Sequence, residues 1–367
     1  MRRGLISWSA REVPASVLDA RVGRLQAAMR AEKLDAVLAY TCFSQPASVT
    51  WLTHFVPYWN DALVVVFREG PPVMLAAFSK RVQNWIREVS HVGEVMTAPN
   101  LGRGAVGLLK ERVPRLASGA GRIGIIERDD FPWTVAEPLV EAGWGNALVD
   151  ATPLYAAIRQ PADPAEIGLA QRAAGMAGKA LDALPANAGK ASQSLAAIEA
   201  SARCDGAEEV LVRIAPDLTK SAVLQRIEED AVLGARYAVQ LSLAYKGVWV
   251  RLVRCVSSGA APASWEAARR WLADAATRMT AANVASGPQG SAPGEVAAWS
   301  VEACLGNEPL TVIAHGGSGS ARTSVSRSLP AGALGVLNVQ LLTKDGPWHG
   351  SVPFVLGAQG ASTKLLA

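Results

Sequence analysis

The chain has 367 residues, half of them apolar and 19% charged, enough to bury more than one core and too apolar for disorder. Its net charge is +4, from 36 basic and 32 acidic residues with no concentrated basic block, which argues against a nucleic-acid partner. Cys42, Cys204, Cys255 and Cys304 form neither a C-x-x-C pair nor a zinc-ligand spacing, so reduced thiols and a cytoplasmic location are expected. The opening MRRGLISWSAREVP lacks the apolar run of a signal peptide. No stretch reaches the roughly 18 consecutive apolar residues of a membrane span, so no membrane partner is expected.

Residues 19–34 place Val22, Leu25, Ala28, Met29 and Leu34 at helical spacing, which predicts an amphipathic helix. DAVLAYT follows as a buried strand. SVTWLTHF reads as another strand, and DALVVVFREGPPVMLAAF as a hairpin turning at Glu69-Gly70. KRVQNWIREV is helical, a further helix runs through Leu108 to Val113, and RIGIIE is a strand. A helix from Trp133 to Ala142 and a strand near Ala147 to Asp150 complete an alternating α and β region. Asp163 and Pro164 then read as the N-cap and first turn of a helix over 164–184. Beyond it the pattern predicts a helix over 191–204, a strand over 208–216 and one more helix leading towards residue 234. The segment 263–282 is strongly helical in period, and GALGVLNVQLLT and SVPFVLG are closing strands.

The stretch 234–257, GARYAVQLSLAYKGVWVRLVRCVS, predicts a β-hairpin turning at Lys246-Gly247. Arg251 and Arg254 are three apart on its second strand and so face opposite ways. Arg251 is a candidate clamp for a carboxylate or phosphate, or the partner of a nearby acid. His315, in the glycine-rich IAHGGSGSARTS, is the candidate general base; the alternative is a hydrogen-bonded structural histidine. That run matches neither a phosphate loop nor a nucleophile elbow. His349, in DGPWHGS, is expected beside a turn and exposed. His54, Tyr58 and Trp59 are candidates to line a pocket, with core packing as the alternative.

These segments resemble the creatinase, prolidase and aminopeptidase P family. Arg24, Met29, Leu34, Asp35, Ala36 and Leu38, followed by Trp51-Leu52-Thr53-His54-Phe55, are similar to its N-terminal pattern, with His54 in place of a glycine. Arg159, Pro164, Glu166, Ile167 and Arg172 resemble its domain-boundary motif, and Gly234, Gly247 and Arg254 fit its metal-binding hairpin. The resemblance implies an α/β N-terminal domain over 1–158, a ribonuclease H-like mixed sheet, and an α+β pita-bread domain over 159–367.

In that family two aspartates, a histidine and two glutamates hold two divalent metals, hard donors that activate a bridging water. Matched to the pattern, the aspartate positions carry Gln240 and Arg251, and the glutamate positions carry Asn338 and Ser351. The ligand histidine falls at Gly319, or at His315 in another register. The resemblance therefore implies a chain without the metal pair and with no cofactor. Gln240, Arg251, Asn338 and His54 are left as candidate substrate-binding residues, and His315 as the candidate catalytic one. Creatinase itself hydrolyses without metal in this family. The expected function is a non-catalytic subunit or small-molecule-binding relative, as a homodimer or a heterodimer with a related chain. The alternative is a metal-independent hydrolase or lyase acting on a small amide, guanidino or carboxylate compound, and a third is a metallopeptidase aligned in another register.

Overall fold

A computed structural model describes residues 8–57, 60–185, 189–226, 230–303, 310–318, 324–325, 328–358 and 361–366. The chain divides into two compact units, which meet in sequence at Arg159 and Gln160. Tyr58, Trp59, Cys304 and Gly319 lie outside the described residues.

The first unit begins with α1 (Ala15–Ala31), β1 (Ala36–Thr41) and α2 (Ala47–Thr53), followed by the hairpin β2 (Ala62–Phe67) and β3 (Val73–Ala76). Next come α3 (Gln83–Val89), β4 (Glu94–Thr97), α4 (Leu101–Arg112), β5 (Ile123–Ile126), α5 (Trp133–Glu141), β6 (Leu148–Asp150) and α6 (Thr152–Ile158). The strands form one mixed sheet, ordered β4-β3-β2-β1-β5-β6, parallel except where β2 pairs with β1 and β3. Both faces are covered. Val37, Val64, Val66 and Met74 pack with Leu25 and Met29 of α1 and Leu52 of α2, whereas Leu38, Leu63, Val65 and Leu75 pack with Leu108 of α4 and Leu139 of α5. Burial on both faces is why these strands read as unbroken apolar runs without alternation.

SVTWLTHF is helical at its centre, contrary to the strand reading. Thr50 and Thr53 turn their hydroxyls onto the backbone of Phe55 and Val49, and His54 closes the helix in the left-handed region at φ 56°. A glycine takes that conformation without strain, which explains why the family pattern has one there. Asp35 explains another motif residue. Its buried carboxylate accepts from Arg68 Nη2 at 3.1 Å, Arg115 Nη1 at 3.2 Å and the backbone N–H of Arg122 at 2.9 Å, tying β1 to the chain ahead of β5.

The second unit opens with α7 (Pro164–Asp182), capped by the Asp163 carboxylate on the N–H of Glu166 at 2.9 Å, and α8 (Ala191–Cys204). The antiparallel sheet β7 (Glu209–Ala215), β8 (Arg236–Tyr245) and β9 (Val248–Ser257) follows. No helix forms among the described residues between β7 and β8. There Asp217 instead nucleates a turn by accepting from the N–H and hydroxyl of Thr219. Lys246 and Gly247 both have positive φ, 48° and 80°, the tight-turn geometry that matches strand twist.

After α9 (Ala263–Thr277) come β10 (Gly294–Ala303), β11 (Thr311–Gly316), β12 (Ser324–Val325), β13 (Leu334–Thr343), β14 (Gly346–Val355) and β15 (Lys364–Leu365). They form a sheet ordered β12-β11-β10-β13-β14-β15. One face carries Trp299, Val301, Leu337, Val339 and Trp348 against Trp265, Trp271 and Leu272 of α9. The other face is polar, and it carries the candidate site. No described helix is long and apolar enough to cross a membrane.

Candidate functional site

The site is built by strand register. Across the larger sheet His315 pairs with Ser300, Ser300 with Asn338, and Asn338 with Ser351, so one row of side chains runs over β11, β10, β13 and β14. Residues directly opposite in a ladder share a face, and Trp299 and Val301 on either side of Ser300 point to the α9 core. Glu302 lies two residues beyond Ser300 and returns to the polar face. A bulge between Val301 and Glu302 shifts the pairing so that Glu302 opposes Val312.

The β8-β9 hairpin adds a second set. Gln240 pairs with Val253, and Ser242 with Arg251, which puts Gln240, Ser242 and Arg251 on one face. Arg254 pairs with Val239 on the opposite face and joins Asp182 at the end of α7. The period-2 reading of the two arginines therefore holds. β9 and β14 meet directly, since Ser351 Oγ donates to the carbonyl of Arg251 at 3.1 Å and the N–H of His349 reaches Cys255 Sγ at 3.1 Å.

Arg251 connects the two sets. Its Nε donates to Ser242 Oγ at 2.9 Å, and its Nη1 pairs with Glu302 Oε2. Glu302 is only 7% exposed at its side chain, and burial pushes its carboxyl above the usual range, with Arg251, Ser300 and Asn338 pulling the other way. Asn338 Nδ2 donates to Ser300 Oγ at 3.2 Å. The buried Asn338 Oδ1 has no hydrogen-bond partner among the described residues.

Each sequence candidate now has a place. Gln240, Arg251, Asn338 and His315 all belong to the second unit, with Arg251 and Asn338 in one network around Glu302. His315 is exposed on a regular strand, not in the glycine-rich loop expected, because the glycines begin at its last residue, Gly316. His54 is buried in the first unit, at the end of α2.

His349 is a correction: it is buried at 6% exposure on β14, because β9 crosses over that strand. Burial lowers its pKa to about 4, against a hydrogen bond with the backbone of Ala222. The residue missed in the sequence is Glu302. A charged side chain between Val301 and Ala303, in a strand that alternates Trp-Ser-Val-Glu-Ala, was the available signal.

The family's two metals do not fit these residues. Hard divalent ions need anionic oxygen donors or imidazole, and the matched positions offer the amides of Gln240 and Asn338, the hydroxyl of Ser351 and the fixed cation of Arg251. The carboxylate of Glu302 is engaged by Arg251. Among the described residues no three His, Cys, Asp or Glu side chains gather as a metal-holding group.

Comparison with known proteins bears on the ancestry. Residues 21–160 match the model of the Creatinase/Prolidase N-terminal domain. That match spans nearly the whole of the first unit. The whole chain is similar in fold to the prolidase from Pyrococcus horikoshii, at 14% identity and a TM-score of 0.68, covering 95% of this chain and 97% of that one. It is likewise similar to the Xaa-Pro dipeptidase from Bacillus anthracis, at 13% identity and a TM-score of 0.67 over 95% and 97%. The X-Pro aminopeptidase from Thermotoga maritima gives 15% identity and a TM-score of 0.65 over 94% and 97%. No curated protein matches in sequence. The second unit accordingly has the pita-bread fold of the prolidases.

Proposed function

We propose that this protein is a pita-bread relative of the Xaa-Pro peptidases and creatinase that has given up the two-metal site. In this reading it works as a small-molecule-binding protein or non-catalytic subunit, in a homodimer or with a related chain. The observation that carries the reading is the Arg251–Glu302 pair: a permanent cation stands where the family pattern has a metal-binding aspartate, and the buried acid Glu302 is spent on it.

Elemental analysis of protein purified from its own host, alongside native mass spectrometry, tests this. The expected result is no divalent metal retained and a dimer mass, with either a small organic ligand or a second, related chain. About two transition-metal ions per chain would overturn it in favour of a metallopeptidase.

The exposure of His315, in register with Ser300 on the polar face, favours a second reading. Here the protein is a metal-independent hydrolase or lyase for a small amide, guanidino or carboxylate compound, with His315 as general base. A folded His315→Ala variant that keeps full turnover of an identified substrate would remove it.

A further inference from the structure

We infer that the ligand of the Arg251 face is an uncharged carboxamide or ureide, which deepens the small-molecule-binding reading above and rests on it. The charge balance comes first. Arg251 and Glu302 neutralise each other, and the side chains linked to them by hydrogen bonds, Ser242, Ser300, Asn338 and Ser351, are uncharged. A ligand carboxylate that took over Arg251 Nη1 would leave Glu302, 7% exposed, without its cation, and one accepting from Nη2 alone would set a second anion beside the Glu302 carboxylate. A ligand guanidinium or amine that took over the Glu302 carboxylate would strand Arg251, and one sharing it would set a second cation beside the guanidinium. Breaking a buried pair from one side is unfavourable because the remaining charge keeps its desolvation penalty. A neutral ligand leaves the pair intact.

The unused hydrogen-bonding groups say what that neutral ligand should carry. Arg251 spends Nε on Ser242 and Nη1 on Glu302, and its Nη2 has no hydrogen bond among the described residues. Asn338 spends Nδ2 on Ser300, while its buried Oδ1 has no partner among the described residues. Arg251 pairs with the Glu302 carboxylate, and Asn338 reaches it through Ser300, whose hydroxyl donates to Glu302 Oε1 at 3.3 Å, so the spare donor and the spare acceptor lie around one group. A carbonyl to accept from the guanidinium, with an adjacent N–H to donate to Asn338, completes both, and a single amide supplies the two.

Benzamide, benzoate and benzamidine have nearly the same shape and differ in charge, which makes them the probes. Their dissociation constants are measured by NMR titration of the metal-free protein, with Asn338→Leu and Asn338→Asp as variants checked for fold by circular dichroism. Benzamide is expected to bind about tenfold more tightly than either charged probe, a difference of about 1.4 kcal/mol. Asn338→Leu should abolish that preference, and Asn338→Asp, by adding a second carboxylate beside Glu302, should swing it to benzamidine. Tighter binding of benzoate, equal benzamide affinity in both variants, or no binding of any probe overturns the inference. Stoichiometric metal in the purified protein is a separate result, and it would sink the underlying reading instead.

Discussion

Arg251 on β9 and Glu302 on β10 are joined through Nη1 and Oε2, so the cation of the hairpin is held by an acid of the other sheet, 51 residues further along the chain. Both side chains are largely out of water, at 18% and 7% exposure. Arg251→Met should therefore lower stability by about 3 kcal/mol, by stranding the carboxylate, as should Glu302→Leu by stranding the guanidinium. The double variant should recover at least about 1 kcal/mol relative to the sum of the singles. Urea denaturation of the four proteins measures this, and additive losses would show the pair to be uncoupled.

His349 sets an acid limit. Its folded pKa, about 4, lies below the ordinary 6.5, because burial disfavours the charged ring. The unfolded chain takes up a proton first on acidification, so the contribution of neutral His349 is complete above about pH 6.5 and is lost as pH falls towards 4. Across that window the loss is roughly 3 kcal/mol, since each pH unit separating the folded and unfolded pKa is worth about 1.4 kcal/mol. His349→Gln should flatten stability against pH between 6.5 and 4, measured by thermal melts.

The hairpin turn gives a local test. Lys246 holds φ 48°, a conformation that asparagine and glycine adopt more readily than lysine. Lys246→Asn should raise stability by about 0.5 kcal/mol, and Gly247→Ala, at φ 80°, should lower it by about 1 kcal/mol. A destabilised Lys246→Asn protein would mean that the lysine side chain, 5.7 Å over the Tyr245 ring, outweighs its backbone strain.

Thiol chemistry should divide sharply. Burial pushes the Cys255 thiol up to about 12, while Cys204 is exposed at the end of α8. Because the thiolate is the reacting form, iodoacetamide at neutral pH should label Cys204 at least about tenfold faster than Cys255. Peptide mapping reads the two rates. Equal labelling would mean that the β9–β14 crossing opens in solution.

What depends on neighbours along the chain could be read directly from the residues. Lys246-Gly247 marks the turn, Asp163-Pro164 starts α7, and the three-residue spacing of Arg251 and Arg254 places them on opposite faces, since strand period is a property of the backbone. Gln240, Arg251, Asn338 and Ser351 were equally legible as the residues that fall at the metal-ligand positions of the pattern it resembles. Folding alone reveals that Arg251 meets Glu302, that His349 is buried under β9, that His315 sits on a strand and that SVTWLTHF is helical at its centre. The first two depend on how β9 crosses β14, and on a bulge that resets β10 against β11. Such contacts join residues distant in sequence, and their energy comes from burial that no local pattern records.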